Sequence, residues 1–303
     1  METNHKKENP IVSVIVATYR REDTLKRAIE SLLKQDYENV EIVVVNDNAE
    51  KQWDEKVDAI ISGFNDDPRI TYIKNEENIG SAKTRNKGID AAKGEYVTFL
   101  DDDDIYLPNK VSRQVNFMIE KKLDYCLTDL HLYAENGVLF DRRIRSFIKK
   151  TDPKSLMVYH VKYHMAGTDT MMFKKEYIEA IGKFAHIDAC DEFYLMERAI
   201  LGKGRFAYLP GCDLIAYIHT GEGGLSSGDI KIQGENILYN HKKRYFKYLT
   251  KKDLRFVKMR HYAVIAYAEL RRKKYVPFMI NAAKSFFSSP IDTFVLIKSH
   301  MGK

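Results

Sequence analysis

Short runs of apolar residues, each bounded by polar ones, pattern the first hundred positions of the chain. Residues 11–17, 40–45, 70–73 and 96–100 read as strands on that ground. Between them the period becomes helical. Leu25, Ala28, Ile29, Leu32 and Leu33 mark one helix, with Asp23 or Thr24 as its N-cap. Trp53, Val57, Ile60 and Ile61 mark the next. Asn78-Ile79-Gly80 opens a third helix that runs through Ala92 and is closed by Gly94. Strands that are apolar on both sides suit a parallel sheet covered on both faces. Four strand–helix alternations therefore predict an α/β fold, with helices on each face of a mainly parallel sheet. Right-handed crossovers would bring all four strand ends to one edge.

Further along the pattern thins. Pro108 is placed at the first turn of a helix carrying Val111, Val115, Met118 and Ile119. Residues 124–128, 170–173 and 213–219 read as strands, Asn136-Gly137 as a hairpin turn, and 189–202 as a helix capped by Gly202. Residues 220–224 read as loop, and from Ile230 the pattern is helical and basic. The expected division is a polar tail (1–10), a catalytic domain (11–228, its halves 11–128 and 129–228) and a basic helical region (229–303).

A 303-residue chain with 44% hydrophobic residues has material for a core. Cys126, Cys190 and Cys212 form no CxxC pair, so a cytoplasmic, reducing setting is expected, without disulfides or a zinc site. The polar first nine residues do not resemble a secretory leader, and no run of about twenty apolar residues suggests a membrane span. The net charge of +6 is uneven: residues 241–303 carry sixteen Lys or Arg against three acids, or +13, leaving −7 for the rest.

The chemistry concentrates where the fourth strand stops, at Asp101-Asp102-Asp103-Asp104. Unpaired carboxylates are costly to bury, so the cluster belongs at a strand end. That is where open α/β sheets bind ligands. Crowded carboxylates suit a hard divalent cation, Mn²⁺ or Mg²⁺, bridging to phosphate. Asp47 ends the second strand and shares this crevice by topology.

Four ordered motifs then match one family. Ser13-Val14-Ile15-Val16-Ala17-Thr18-Tyr19-Arg20 resembles the first strand and loop of family-2 glycosyltransferases of the GT-A fold. Val44-Val45-Asn46-Asp47-Asn48 resembles their second strand end, with Asn46 where many relatives carry Asp. Asn78-Ile79-Gly80 with Ala82, Arg85-Asn86 and Gly88 resembles their NxG…ARNxG helix, and Phe99 to Asp104 with Pro108 their LDxDD…P motif. The resemblance covers roughly residues 11–228. It implies inverting transfer from a nucleotide-sugar, usually a UDP-sugar, to a hydroxyl of a glycan or lipid-linked acceptor. Ala17, Thr18 and Tyr19 would then meet the donor, Asp47 the uracil N–H, and Arg85 the donor. Asp103 would be the direct metal ligand, and Asp101 a ribose or metal-water contact. Asp102 stands where many relatives hold a small residue and is counted with the nucleotide-sugar contacts. Asp191-Glu192 resembles the segment that carries the catalytic base. The family's preference for Asp favours Asp191, while the spacing back from Arg198 puts Glu192 in register. Both stay open, with the weight on Asp191. His219 would touch metal or diphosphate, and Thr168 and Asp169 are weaker candidates for sugar contact.

Two other classes compete. A nucleotidyltransferase would want glycines after the first strand, which Thr18-Tyr19-Arg20-Arg21 lacks. A non-catalytic sugar-binding protein would be expected to have lost the acids. In the tail, cations interleave with aromatics at 242–248 and 271–275. Leu254, Val257, His261, Val264, Ile265 and Ala268 form one apolar stripe, and Phe278, Met279, Ala282, Phe286 and Phe287 another. Peripheral contact of 241–303 with an anionic membrane, on its inner face, is the functional expectation. A homodimer contact is its rival. No nucleic-acid module is visible.

Overall fold

The computed structural model describes residues 9–64, 67–187, 190–218 and 228–301. Its main sheet contains β1 (Val12–Thr18), β2 (Val40–Asn46), β3 (Ile70–Lys74), β4 (Tyr96–Phe99), β6 (Tyr125–Leu127), β9 (Met171–Lys174) and β10 (Phe206–Tyr208). The spatial order is β10-β6-β9-β4-β1-β2-β3. Strands β1 to β4 are parallel, in the register Thr18↔Asn46 and Ile15↔Phe99. Among the described residues only β9 runs against the others, antiparallel to both β4 and β6. The sheet is thus mixed, as "mainly parallel" allows.

Alternation along β1 and β2 feeds two cores. Val12, Val14, Val16, Ile42 and Val44 face α1 (Leu25–Leu33), α2 (Lys51–Ser62) and α4 (Lys110–Lys121). Ile15, Val43 and Val45 face α3 (Ser81–Ala91), α5 (Pro153–Tyr163) and α7 (Asp191–Leu201). Helices therefore cover both faces. Gly88 lets α3 lie against β1, since a Cβ there would sit 2.5 Å from Ile15 Cγ2. Pro108 precedes the Asn109 N-cap of α4 instead of entering the helix.

A second sheet, β5-β11-β7-β8, was not foreseen. It joins β5 (Ile105–Tyr106), directly after the aspartates, to β11 (Leu214–Ile218), β7 (Leu130–Ala134) and β8 (Leu139–Arg143). The β7–β8 hairpin turns at Asn136-Gly137 as expected, with Gly137 at φ 80°. A short helix α6 (Lys175–Ala180) follows β9.

The C-terminal helices α8 (Gly228–Lys242), α9 (Lys251–Arg271), α10 (Tyr275–Ser288) and α11 (Pro290–Met301) are fastened to the domain. Glu197 of α7 accepts from the His241 ring (2.6 Å) and from the Tyr245 hydroxyl, and Lys162 of α5 pairs with Asp253 at 2.5 Å. The first apolar stripe is core, because Val257, His261, Ile265 and Ala268 are buried on α9. The expectation that it faces a membrane is corrected on that ground.

Candidate active site

The edge where β1, β2 and β4 end is shared by the start of β9, because β9 runs the other way. The 3-10 turn Thr168–Thr170 that leads into β9 delivers Asp169 against the aspartate turn. The Asp101 amide donates to Asp169 Oδ1 at 3.0 Å. Asp169 is 4% exposed and supports the turn; Thr168 is half-buried in the same turn. Carboxylate oxygens of Asp101, Asp104 and Asp169 converge within 4.8 Å of one another.

Crowding sets the electrostatics. Burial, then the charge of Asp101, pushes Asp169 up to about 7. Burial, then Asp169, holds Asp104 well above the carboxylate range. Burial, then Asp103, pushes Asp102 up to about 8. Asp101, Asp104 and Asp169, two of them held partly protonated by this crowding, form a donor set that suits a hard divalent cation, which would take the place of the protons. Lys110, missed from the sequence, lies beneath. Its Nζ donates to Thr98 Oγ1 (2.7 Å) and Tyr106 Oη (2.5 Å), and burial lowers it to about 7.

These shifts predict a pH dependence. An acid whose folded pKa exceeds its unfolded value favours the folded state only while protonated. The contribution of Asp169 is full below its reference value of 3.8 and is lost as pH rises through about 7. At about 1.4 kcal/mol per pKa unit the loss amounts to a few kcal/mol. Lys110 acts with the opposite sign, but only between about 7 and 10.5. Buried His160 and His164, held well below their ordinary value, act with the opposite sign in the same window, so the test is a difference between variant and wild type. In chelator-treated protein, Asp169→Asn should gain melting temperature relative to wild type as pH rises from 4.5 to 7 (about 2–4 °C per kcal/mol for a domain of this size). A difference that does not change with pH would refute the assignment.

Asp103 departs from expectation. Its Oδ2 meets Arg21 Nη2 at 3.0 Å, and its carbonyl accepts from Arg27 Nη2 at 3.1 Å. The place beside Asp101 and Asp169 goes to Asp104, because the turn closes by a bond from the Asp104 amide to the Asp101 carbonyl. The Tyr217 amide on β11 then donates to Asp104 at 2.8 Å.

Asp47 ties the end of β2 to the start of α3. Its carboxylate accepts from Asn75 Nδ2 (2.8 Å) and from the amides of Ile79 (2.9 Å) and Gly80 (3.0 Å), while Asn78 Nδ2 donates to its carbonyl (2.9 Å). Asp47, 4% exposed, thus anchors the start of α3. Gly80 at φ 82° allows the approach. At the end of β1, Ala17 is half-buried and Thr18 is buried. The Tyr19 ring is 43% exposed, with the Arg20 guanidinium 5.1 Å from its centroid.

Arg85 links the two halves. From α3 it reaches Asp101 Oδ1 at 2.7 Å and Asp191 Oδ2 at 2.8 Å, with Phe184 5.5 Å below the guanidinium. Burial alone would lower its pKa, but Asp191 and Asp101 override this and raise it. Asn86 holds the Phe184 backbone from both sides, at 2.9 and 3.0 Å, which positions the loop before α7. Asp191 takes a second bond from Ser81 Oγ at 3.2 Å; burial raises its pKa against the pull of Arg85. Glu192 lies beside Asp191, and its Oε1 meets His164 Nε2 at 2.9 Å. Burial, then Lys242, keeps His164 well below its ordinary value and therefore neutral. His164, Ser81 and Arg21 carried no sequence pattern that singled them out. His219, the Gly-rich loop and Ser226-Ser227 lie outside the described residues.

The chain matches Glycosyl transferase family 2 over residues 13–182. WcaA of Escherichia coli K12, named for colanic acid biosynthesis, is 29% identical over 250 residues, covering 81% of this chain and 86% of that one. The Escherichia coli protein WfaP, a UDP-Glc:α-D-GlcNAc-diphosphoundecaprenol β-1,3-glucosyltransferase, is 37% identical over 195 residues, 64% of this chain and 71% of its own. S. aureus TarS 1-349 with UDP-GlcNAc superposes with a TM-score of 0.60 at 19% identity, covering 91% of each chain. Mannosyltransferase PcManGT of Pyrobaculum calidifontis, solved with GDP-Man and Mn²⁺, gives 0.57 at 16%, over 95% of this chain and 88% of that one. The nucleotidyltransferase and binding-protein alternatives fall away. With the GT-A fold in place and the family matched over more than half its length, the chain belongs to glycosyl transferase family 2 and is a nucleotide-sugar glycosyltransferase.

Proposed function

We propose that this enzyme moves a sugar from a UDP-sugar, with inversion, onto a hydroxyl of a glycan or lipid-linked acceptor at the inner face of the cell membrane. The observation that carries it is Arg85 clamped between Asp101 and Asp191, since one cation then spans the donor and acceptor sides of a single cleft. Asp103 and Asp101 are the proposed cation ligands. They stand at the mouth of the turn, with Asp101 40% exposed, while Asp104 and Asp169 support it from behind. Bound there, Mn²⁺ or Mg²⁺ neutralises charge on the departing diphosphate. Arg21 and Arg85 are counter-charges within reach of the same phosphates. The exposed Tyr19 ring offers a stacking face to the base.

Glu192 is the proposed general base. Asp191 is buried and its Oδ2 takes both Arg85 and Ser81, whereas Glu192 is only half-buried and is bonded to His164. Neutral His164 fixes the rotamer of Glu192, and the carboxylate takes the acceptor proton as that oxygen attacks C1. The sequence reading leaned to Asp191; the geometry shifts the weight to Glu192.

WfaP takes UDP-Glc and a diphosphoundecaprenol-linked sugar by its name, which supports a UDP-sugar and a lipid-linked acceptor here. A panel of nucleotide-sugars, tested for Mn²⁺-dependent hydrolysis and thermal stabilisation, checks the reading. A UDP-sugar should respond and GDP-mannose should not. A response to GDP-mannose alone would overturn the donor assignment.

A further inference from the structure

Helix α9 turns back into α10 at Lys273, which sits at φ 59°. The inner side of this pair is made. Ser285 is 2% exposed, and its Oγ donates to the Met259 carbonyl at 3.0 Å. Thr293 of α11 donates to the Ser285 carbonyl at 3.2 Å, so α11 folds back against the same helix. Phe278 and Ala282 of the second apolar stripe are partly covered. The rest of that stripe faces outward and continues onto α11.

Among the described residues this outer face is apolar and unpartnered. Val276 (72% exposed), Met279, Phe287 (80%), Ile291 (80%), Phe294 and Val295 all point away from the domain. Single exposed apolar side chains are ordinary, but a contiguous face of this kind marks an interaction surface. Lys273 and Lys274 are exposed in the turn before α10, Lys298 is exposed on α11, and Lys284 of α10 is exposed with its Nζ 5.5 Å from the Tyr262 ring centroid. Asp292 is the one acid between residues 273 and 301, and its carboxylate already accepts from Ser289 Oγ at 2.5 Å.

We propose that the outer face of α10 and α11 seats the enzyme on an anionic lipid bilayer, with Phe287, Ile291 and Phe294 in the acyl boundary and the lysines among the headgroups. Length supports lying in the interface. Fourteen and twelve residues make helices of about 21 and 18 Å, short of the roughly 30 Å hydrocarbon core. Among the described residues no helix is long and apolar enough to cross a membrane. Charge separates a bilayer from a second copy of the chain. A two-fold contact through this face would bring its lysines against themselves. An anionic surface neutralises them instead.

The proposal rests on the functional reading only for its purpose, access to a lipid-linked acceptor, so lipid binding and donor hydrolysis are read separately. The full chain is sedimented with vesicles of phosphatidylcholine alone and mixed with phosphatidylglycerol, at low and high salt. It should bind the anionic vesicles, and salt should weaken binding without abolishing it. Phe287→Asp/Phe294→Asp should lower vesicle affinity about tenfold or more, while melting temperature and UDP-sugar hydrolysis in the absence of vesicles stay at wild-type values. Lys273→Glu/Lys274→Glu/Lys284→Glu/Lys298→Glu should bind more weakly and respond less to salt. The proposal is overturned by a wild type that ignores anionic vesicles, or by apolar-face variants that bind as well as wild type. It is overturned equally by a dimer in sedimentation that Phe287→Asp/Phe294→Asp converts to monomer without altering lipid binding. Vesicle binding without UDP-sugar hydrolysis would sink the functional reading and leave this one standing.

Discussion

Glu192→Gln is expected to slow sugar transfer by about 10²–10⁴, the range lost when a positioned general base is removed. UDP affinity should hardly change, because Glu192 is bonded to His164, whereas it is Asp191 that holds Arg85. Asp191→Asn should behave differently. It strips the Arg85 guanidinium of one of its two carboxylates, and breaking one side of a buried ion pair costs roughly 3–5 kcal/mol. Donor affinity and thermal stability should therefore both fall, with part of turnover recoverable at saturating donor. Calorimetry of Mn²⁺-UDP binding beside steady-state transfer separates the two variants. If Asp191→Asn abolishes turnover at unchanged affinity while Glu192→Gln retains it, the base is Asp191.

Asp103→Asn should remove Mn²⁺-dependent UDP binding and cost about 10²–10³ in turnover, as loss of one preorganised charge-stabilising group does. The fold should survive, since Asp103 meets its Arg21 partner near the surface. Asp104→Asn is the informative control. The amide imitates a protonated carboxyl, and its oxygen can still accept from the Tyr217 amide. It should keep most of the metal-dependent binding. The reverse pattern, with Asp104→Asn dead and Asp103→Asn active, would place the cation deeper, among Asp101, Asp104 and Asp169.

The half of the fold built from local alternation was legible in the sequence. Continuous apolar runs such as 42–45 read as buried strands, and helical spacing between the strands left little choice of topology. The direction of β9 was not legible, because Thr170-Met171-Met172-Phe173 reads alike in either orientation. The second sheet escaped for a related reason. β5 is two residues long and exists through its pairing with β11, more than a hundred residues away. In the site, residue types and strand ends were visible, but partners were not. Nothing along the chain showed that Asp47 would be spent on α3, that Arg21 would take Asp103, or that His164 would meet Glu192.

The reversed strand also bears on how the protein is made. As the chain leaves the ribosome, β1 to β4 can assemble as soon as residue 99 has emerged. The next strand cannot join them. Among the described residues β6 pairs with β9 and β10 alone, so residues 125–127 must wait for 171–174 to dock against β4. Until then β4 presents an open apolar edge bearing Val97 and Phe99, the kind of edge that recruits other chains. A product stopped near residue 128 would hold most donor-side motifs and still lack the strand that seals them, so it should aggregate when expressed alone.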